Sequence, residues 1–349
     1  MRLGEPPLVR AALINLGPGE HKRLVIVVHH LVIDGVSWRL LIDDLQVACG
    51  QRARGEQITL PPATRPPHAF AAALERSARA GAFDDELSYW LAQGNEASFP
   101  RDHDAALDVD TVEREGHLVV RLDEEETGAL LGMAAQARMD DLILAALTRA
   151  LAPWLGRRSI AIDLESHGRE VVVGDGDVSR SIGWFTTVHP LRMEIADRSP
   201  SAALHEIQSL RARVPRYGIG YFALKYLQPA TAAQLGAVRR AEILFNYLGQ
   251  FRPATEGGIV VGLAAESAGP CSSPRNRRSH LIEVNAVVND GALVIDIGYC
   301  AVVHERATVE RLGSALLEAL RESAREPLLP DTDLNDDSLE RVLSAMSID

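Results

Sequence analysis

A chain of 349 residues, 46% apolar and 24% charged, is long enough for two lobes with their own cores and has the composition of a soluble globular protein. Its net charge of -12 argues against nucleic-acid partners and against adhesion to an acidic membrane, and no apolar run is long enough to span a bilayer. Three scattered cysteines (Cys49, Cys271, Cys300), without metal-ligand spacing, and an N-terminus without signal-peptide regions point to a reducing, cytoplasmic setting.

Leu8 to Leu16 and Arg23 to Val28 read as strands around Gly17-Pro18-Gly19-Glu20, a hairpin signal. His29-His30-Leu31-Val32-Ile33-Asp34-Gly35 follows. Ser37 is the expected N-cap of a helix whose Trp38, Leu41, Ile42 and Leu45 share one face. Beyond the Pro-rich connector Pro61 to Pro67, helices are expected over Ala69 to Ala80 and around Asp84 to Leu91. The polar stretch Gly94 to Asp110 is the expected lobe boundary. Gly116 to Leu122 alternates as a strand, and Asp140 to Leu155 is an amphipathic helix with Ile143, Leu147, Ala150, Leu151 and Trp154 inward. Ser159 to Leu164 is a strand ending in Glu165. A helix from Ala202 to Arg213, strands Glu242 to Tyr247, Leu281 to Val288 and Leu293 to Tyr299, and a helix Thr308 to Arg325 complete the pattern. Asn289-Asp290-Gly291 is a hairpin turn between two of those strands. The class is α/β in two lobes: 1–105 a partial N-terminal lobe, 106–328 a C-terminal lobe, and 329–349 an acidic linker.

Adjacent histidines on an extended segment point to opposite faces, so at most one of His29 and His30 meets a cleft. Two readings stand side by side: a structural pair that caps a strand, or one imidazole placed for proton transfer. Asp34 can anchor the loop or orient an imidazole, and Gly35 permits a tight turn into the helix. Only Lys22 and Lys225 are lysines, neither in a suggestive context, which leaves a pyridoxal-phosphate racemase without its Schiff-base lysine. No P-loop, dinucleotide or metal-spacing motif is present in the sequence.

The segment from His29 to Gly35 resembles the His-His-x-x-x-Asp-Gly signature of the condensation-domain superfamily of nonribosomal peptide synthetases. Its continuation Val36-Ser37-Trp38-Arg39 resembles the epimerization branch. Four further segments resemble that branch in order: Asp163 to Glu170, Asp177 to Thr187, Pro215 to Tyr221, and Phe245 to Phe251. The resemblance implies a two-lobed fold similar to chloramphenicol acetyltransferase. It also implies inversion of the α-carbon of an aminoacyl or peptidyl thioester carried on the phosphopantetheine arm of a peptidyl carrier protein, with no metal or organic cofactor. His30 matches the family's catalytic histidine and Glu165 its catalytic carboxylate. Partial burial at the strand end is expected to raise the pKa of Glu165.

Tyr247 is a third catalytic candidate, as a hydroxyl near the enolate oxygen or the amine; a core tyrosine is its plain alternative. His29, Asp34, Gly35, Ser37, Gly183, Trp184 and Asn246 are candidates for shaping the substrate channel or meeting the carrier arm. The basic run Pro274-Arg275-Asn276-Arg277-Arg278 is either a carrier contact or a solvated loop.

Two features depart from the family pattern. Ser166 replaces a glycine. The histidine motif also begins at residue 29, so the start of the N-terminal lobe is absent, as in a fragment, a truncated gene or half of a split domain, and a sheet edge is expected to be exposed. Competing readings are a peptide-bond-forming condensation domain and a catalytically silent carrier-binding module.

Overall fold

The computed structural model describes residues 3–94, 97–105, 110–133, 137–156, 159–170, 176–195, 198–251, 264 and 266–326; the expected linker over 329–349 lies outside them. The glycine-rich turn folds β1 (Val9–Ile14) back on β2 (Arg23–Val28) as an antiparallel pair. This is a separate two-stranded sheet. All six residues of β1 are exposed, and the register partners Leu13 and Leu24 are 64% and 48% exposed.

Helix α1 (Gly35–Ala53) starts two residues before the expected Ser37. Asp34 is the N-cap, and its carboxylate accepts from Ser37 N at 2.8 Å. A carboxylate at this position satisfies an unpaired first-turn amide and favours the positive end of the helix. Pro67 then opens α2 (Pro67–Arg79), and a 3-10 turn leads into the short α3 (Leu87–Leu91).

Six further strands form the main sheet, in the order β3-β8-β7-β6-β4-β5. They are β3 (Glu115–Leu122), β4 (Ser159–Ser166), β5 (Thr187–Glu194), β6 (Ile243–Phe251), β7 (Ile282–Asn289) and β8 (Ala292–Cys300). β6 runs parallel to both β4 and β7, and the other pairs are antiparallel. Helices α4 (Glu124–Gly132), α5 (Met139–Leu155), α6 (Pro200–Ala212) and α9 (Arg306–Arg325) pack on one face of this sheet. Ile160, Ile162, Leu164, Phe245, Val284 and Ile295 point into that core. α5 is buried nearly all round rather than along the single face expected.

Strand alternation turns Asp163, Glu165, Asn246, Glu283, Asn285 and Asp296 to the opposite face. A smaller core joins Phe70 and Trp90 to Val178, Phe185, Ile219 and Leu235 from α7 (Ile219–Phe222), α8 (Pro229–Ala237) and their flanks. It therefore draws on both sides of the 105/106 boundary. No helix among the described residues is long and apolar enough to cross a membrane.

Candidate functional site

The site forms where the turn after β2 meets the C-terminal end of β4. His29 is extended, and its Nδ1 accepts from Leu31 N at 3.2 Å, so this ring caps the 3-10 turn His30–Val32. His30 Nδ1 lies 2.8 Å from the Ile33 carbonyl oxygen. A carbonyl only accepts, so Nδ1 carries the hydrogen, and the neutral ring presents a bare Nε2 lone pair. The ring stacks on the half-exposed indole of Trp184, with centroids 4.8 Å apart and planes 22° from parallel. The two histidines thus divide the work, with His29 capping the 3-10 turn that His30 opens.

Asp34 and Arg169 tie this turn to the segment after β4. Arg169 Nη1 and Nη2 donate to the two Asp34 oxygens at 2.7 and 3.0 Å, with side chains 5% and 1% exposed. Ser37 N and Phe185 N complete the carboxylate's partners at 2.8 and 3.0 Å. Burial by itself would raise the Asp34 pKa, but the Arg169 hydrogen bonds and the two amides outweigh it and hold the carboxyl below its ordinary range. The Arg169–Asp34 contact is a buried ion pair.

Ser37 is buried. Its Oγ donates to Gly183 O at 2.9 Å and accepts from Gly183 N at 3.0 Å. Gly183 is required there because a Cβ would fall 2.5 Å from Pro67 Cγ. Gly168, with φ +67°, passes so close to Phe185 O that a Cβ would lie 1.8 Å away. Gly35 is the first, exposed residue of α1 with open space around it; its φ is not in the left-handed region, so the turn itself does not demand glycine.

Glu165 lies at the end of the ladder, inside β4 rather than beyond it. Burial raises its pKa above the ordinary carboxylate value. A proton on His30 would oppose that rise, Glu283 and Asp34 add to it, and His280 opposes it. His30 is thus among the groups whose charge acts on Glu165. Leu164 pairs with Phe245, so Glu165 and Asn246 stand side by side on one face, and Asn246 is in register with Asn285.

Tyr247 takes the other face. Its ring packs on the main core with Phe245, and burial pushes its hydroxyl up to about 12, with Asp140 reinforcing the effect. The fold brings Asn246 beside Glu165 and does not bring the Tyr247 ring to that strand face.

The expected basic cluster disperses. Arg278 is buried and donates to Glu115 and Asp110 at 3.0 and 3.4 Å, while Arg275 and Arg277 remain at the surface. Its arginines are therefore not one surface patch, because the acidic end of β3 recruits Arg278 inward. Sequence reasoning gives no site role to Asp163, which shares the Glu165 strand face, or to His280 and Glu283, whose charges act on Glu165. The two-residue spacing from Asp163 to Glu165 is the available signal, whereas His280 and Glu283 come from a segment more than a hundred residues away.

A family model described as condensation domain matches residues 1–339. The chain is 33% identical to chondramide synthase cmdD of Chondromyces crocatus over 98% of its own length, which is 9% of that protein. It is 31% identical to tyrocidine synthase 1 of Brevibacillus parabrevis over 90% of its length, 30% of that protein. The chain thus spans less than a third of the length of these curated relatives.

Among solved structures it is similar to the epimerization domain from the third module of tyrocidine synthetase B, at 31% identity and a TM-score of 0.82, covering 92% of this chain and 72% of that one. The first condensation domain of the calcium-dependent antibiotic synthetase, at 17% identity and a TM-score of 0.68, covers 94% of this chain and 70% of its own; it shares the fold.

Proposed function

The chain belongs to the condensation-domain family of nonribosomal peptide synthetases, and from that footing we propose that it is an epimerization domain. Its substrate is an aminoacyl or peptidyl thioester on the phosphopantetheine arm of a peptidyl carrier protein, whose α-carbon it inverts from L to D. One observation carries the reading: an imidazole with a free Nε2 lone pair and a buried carboxyl of raised pKa are coupled at one site. Similarity to the tyrocidine synthetase epimerization domain supports it.

Inversion breaks the Cα–H bond on one face and forms a new one on the other. The bonding pair passes into the enolate of the thioester, which is more acidic at this carbon than an ester or amide because sulfur donates little to the carbonyl. His30 Nε2 and the Glu165 carboxyl are the two proton-transfer groups, and solvent exchange resets them. An imidazole with a free ring nitrogen and a carboxyl whose pKa is raised can serve as base and acid. Asn246, beside Glu165, offers an amide donor to the developing enolate oxygen, a task its position suits better than that of Tyr247. His29, Gly35 and Trp184 line the approach of the arm, and the buried Asp34, Ser37 and Gly183 hold that approach in place. The proposed step uses no metal or organic cofactor.

The test loads a carrier protein with a chiral aminoacyl-phosphopantetheine group, adds this chain in deuterated water, and follows deuterium at the α-carbon together with the D:L ratio. Exchange with inversion is expected, and its loss in His30→Ala and Glu165→Gln proteins assigns the two groups. Amide formation with a second loaded carrier would instead make this a condensation domain. Neither reaction would leave a carrier-binding module.

A further inference from the structure

The sheet face that carries Glu165 holds a second buried assembly of ionisable groups. Asp163 precedes Glu165 by two residues on β4, so the two side chains leave the same face with their Cα atoms about 7 Å apart. His280, in the turn that leads into β7, reaches across β6 to meet it: Nε2 donates to Asp163 Oδ2 at 2.8 Å. Its other nitrogen, Nδ1, faces Ser279 Oγ at 2.9 Å. Asp163 and His280 are only 8% and 6% exposed. Desolvating such a pair offsets much of its mutual attraction, so the pair is not explained as a source of stability. Both ring nitrogens of His280 are occupied, which leaves it none for exchanging protons with a substrate. Its influence on a neighbour acts through its field.

We propose that the Asp163–His280 pair is a positioning unit for Glu165, in which Asp163 fixes the ring and His280 directs its charge at the Glu165 carboxyl. The inference rests on the assignment of Glu165 to proton transfer. His30 comes from the turn after β2; Asp34, neutralised by Arg169, from the cap of α1; Glu283 from β7, with Arg278 Nη2 3.7 Å away; and His280 from the turn before β7. Among the described residues, Glu283 and Asp34 join burial in favouring the protonated carboxyl, and the two imidazoles oppose them. His30 changes charge during the reaction itself. His280 does not, so it supplies the steady part of that opposition. On the far side of the pair, the Asp163 charge also reaches Lys225, Tyr221 and His189, which encloses it among protein groups.

The test is a carboxyl titration read by NMR on the full chain with 13C-labelled glutamate and 15N-labelled histidine. In the unmutated protein the Glu165 carboxyl resonance is expected to respond to changes seen in the His280 ring resonances. In His280→Gln, whose amide can still donate to Asp163, the Glu165 midpoint is expected to rise. The acid limb of the deuterium-exchange profile should move to higher pH by the same amount, with KM for the loaded carrier unchanged. A Glu165 curve indifferent to His280 in the unmutated chain overturns the proposal, even where the variant fails to fold. If the unmutated chain catalyses no exchange, the epimerization reading falls while the titration still decides whether the pair acts on Glu165.

Discussion

His30 has one nitrogen committed to the Ile33 carbonyl and its ring face committed to Trp184, so a single atom is left for chemistry. Glu165 is held in the opposite sense, by burial that favours its neutral form. A carboxyl whose folded-state pKa is raised contributes stability that is complete below the unfolded value and is lost as pH rises through the folded value. Gln mimics the protonated form. Glu165→Gln should therefore melt higher than the unmutated chain at neutral and alkaline pH, with the difference vanishing in acid, while α-proton exchange falls by about 100-fold or more. Melting curves across pH and the deuterium assay check the two halves.

His189 shows the reverse linkage. Burial first, then the nearby Arg211, lower its pKa to about 4. Stability is thus full above the unfolded value near 6.5 and falls as pH drops toward 4, by about 3 kcal/mol from this group. Urea titrations of His189→Gln should show a flatter pH dependence across that window.

At the scale of elements, the turn after β2 depends on a side chain from the segment after β4. The Asp34–Arg169 pair, with Ser37 on Gly183 and Arg180 Nη2 donating to Asp44 Oδ1 at 2.6 Å, fixes α1 against residues 180–185. Arg169→Ala leaves a buried carboxylate without its counter-ion, a loss of about 3–5 kcal/mol. Arg169→Lys should recover only part of it, since an ammonium cannot reproduce the two-pronged contact. Chemical denaturation measures both. The His30–Trp184 stack should loosen in the same variants, visible as a change in indole fluorescence.

For the whole molecule, the two sheets have unequal support. The six-stranded sheet is covered by four helices, whereas β1 and β2 form a two-stranded ribbon with apolar side chains in solvent. Such a ribbon is marginal by itself. Hydrogen exchange on this 349-residue chain should find the amides of residues 9–28 orders of magnitude less protected than those of β6, β7 and β8. Equal protection would show that the ribbon gains support from contacts outside its own pairing.

The amino-acid sequence by itself determined much of the element order (though not β5 or helices α4, α7 and α8), the hairpins at Gly17 and Asp290-Gly291, and the placing of His30 and Glu165 at the ends of strands, because periodicity, capping and turn chemistry act over a few residues. Alternation along β6 even contained the answer for Tyr247 and Asn246: they must face opposite ways, and only which of the two faced Glu165 was open. That choice, the burial of Arg278 and the approach of His280 to Asp163 were decided by tertiary structure. Each depends on which strand lies next to which, and partners 117 residues apart for His280 and Asp163, or 163 for Arg278 and Glu115, leave no local trace in a sequence.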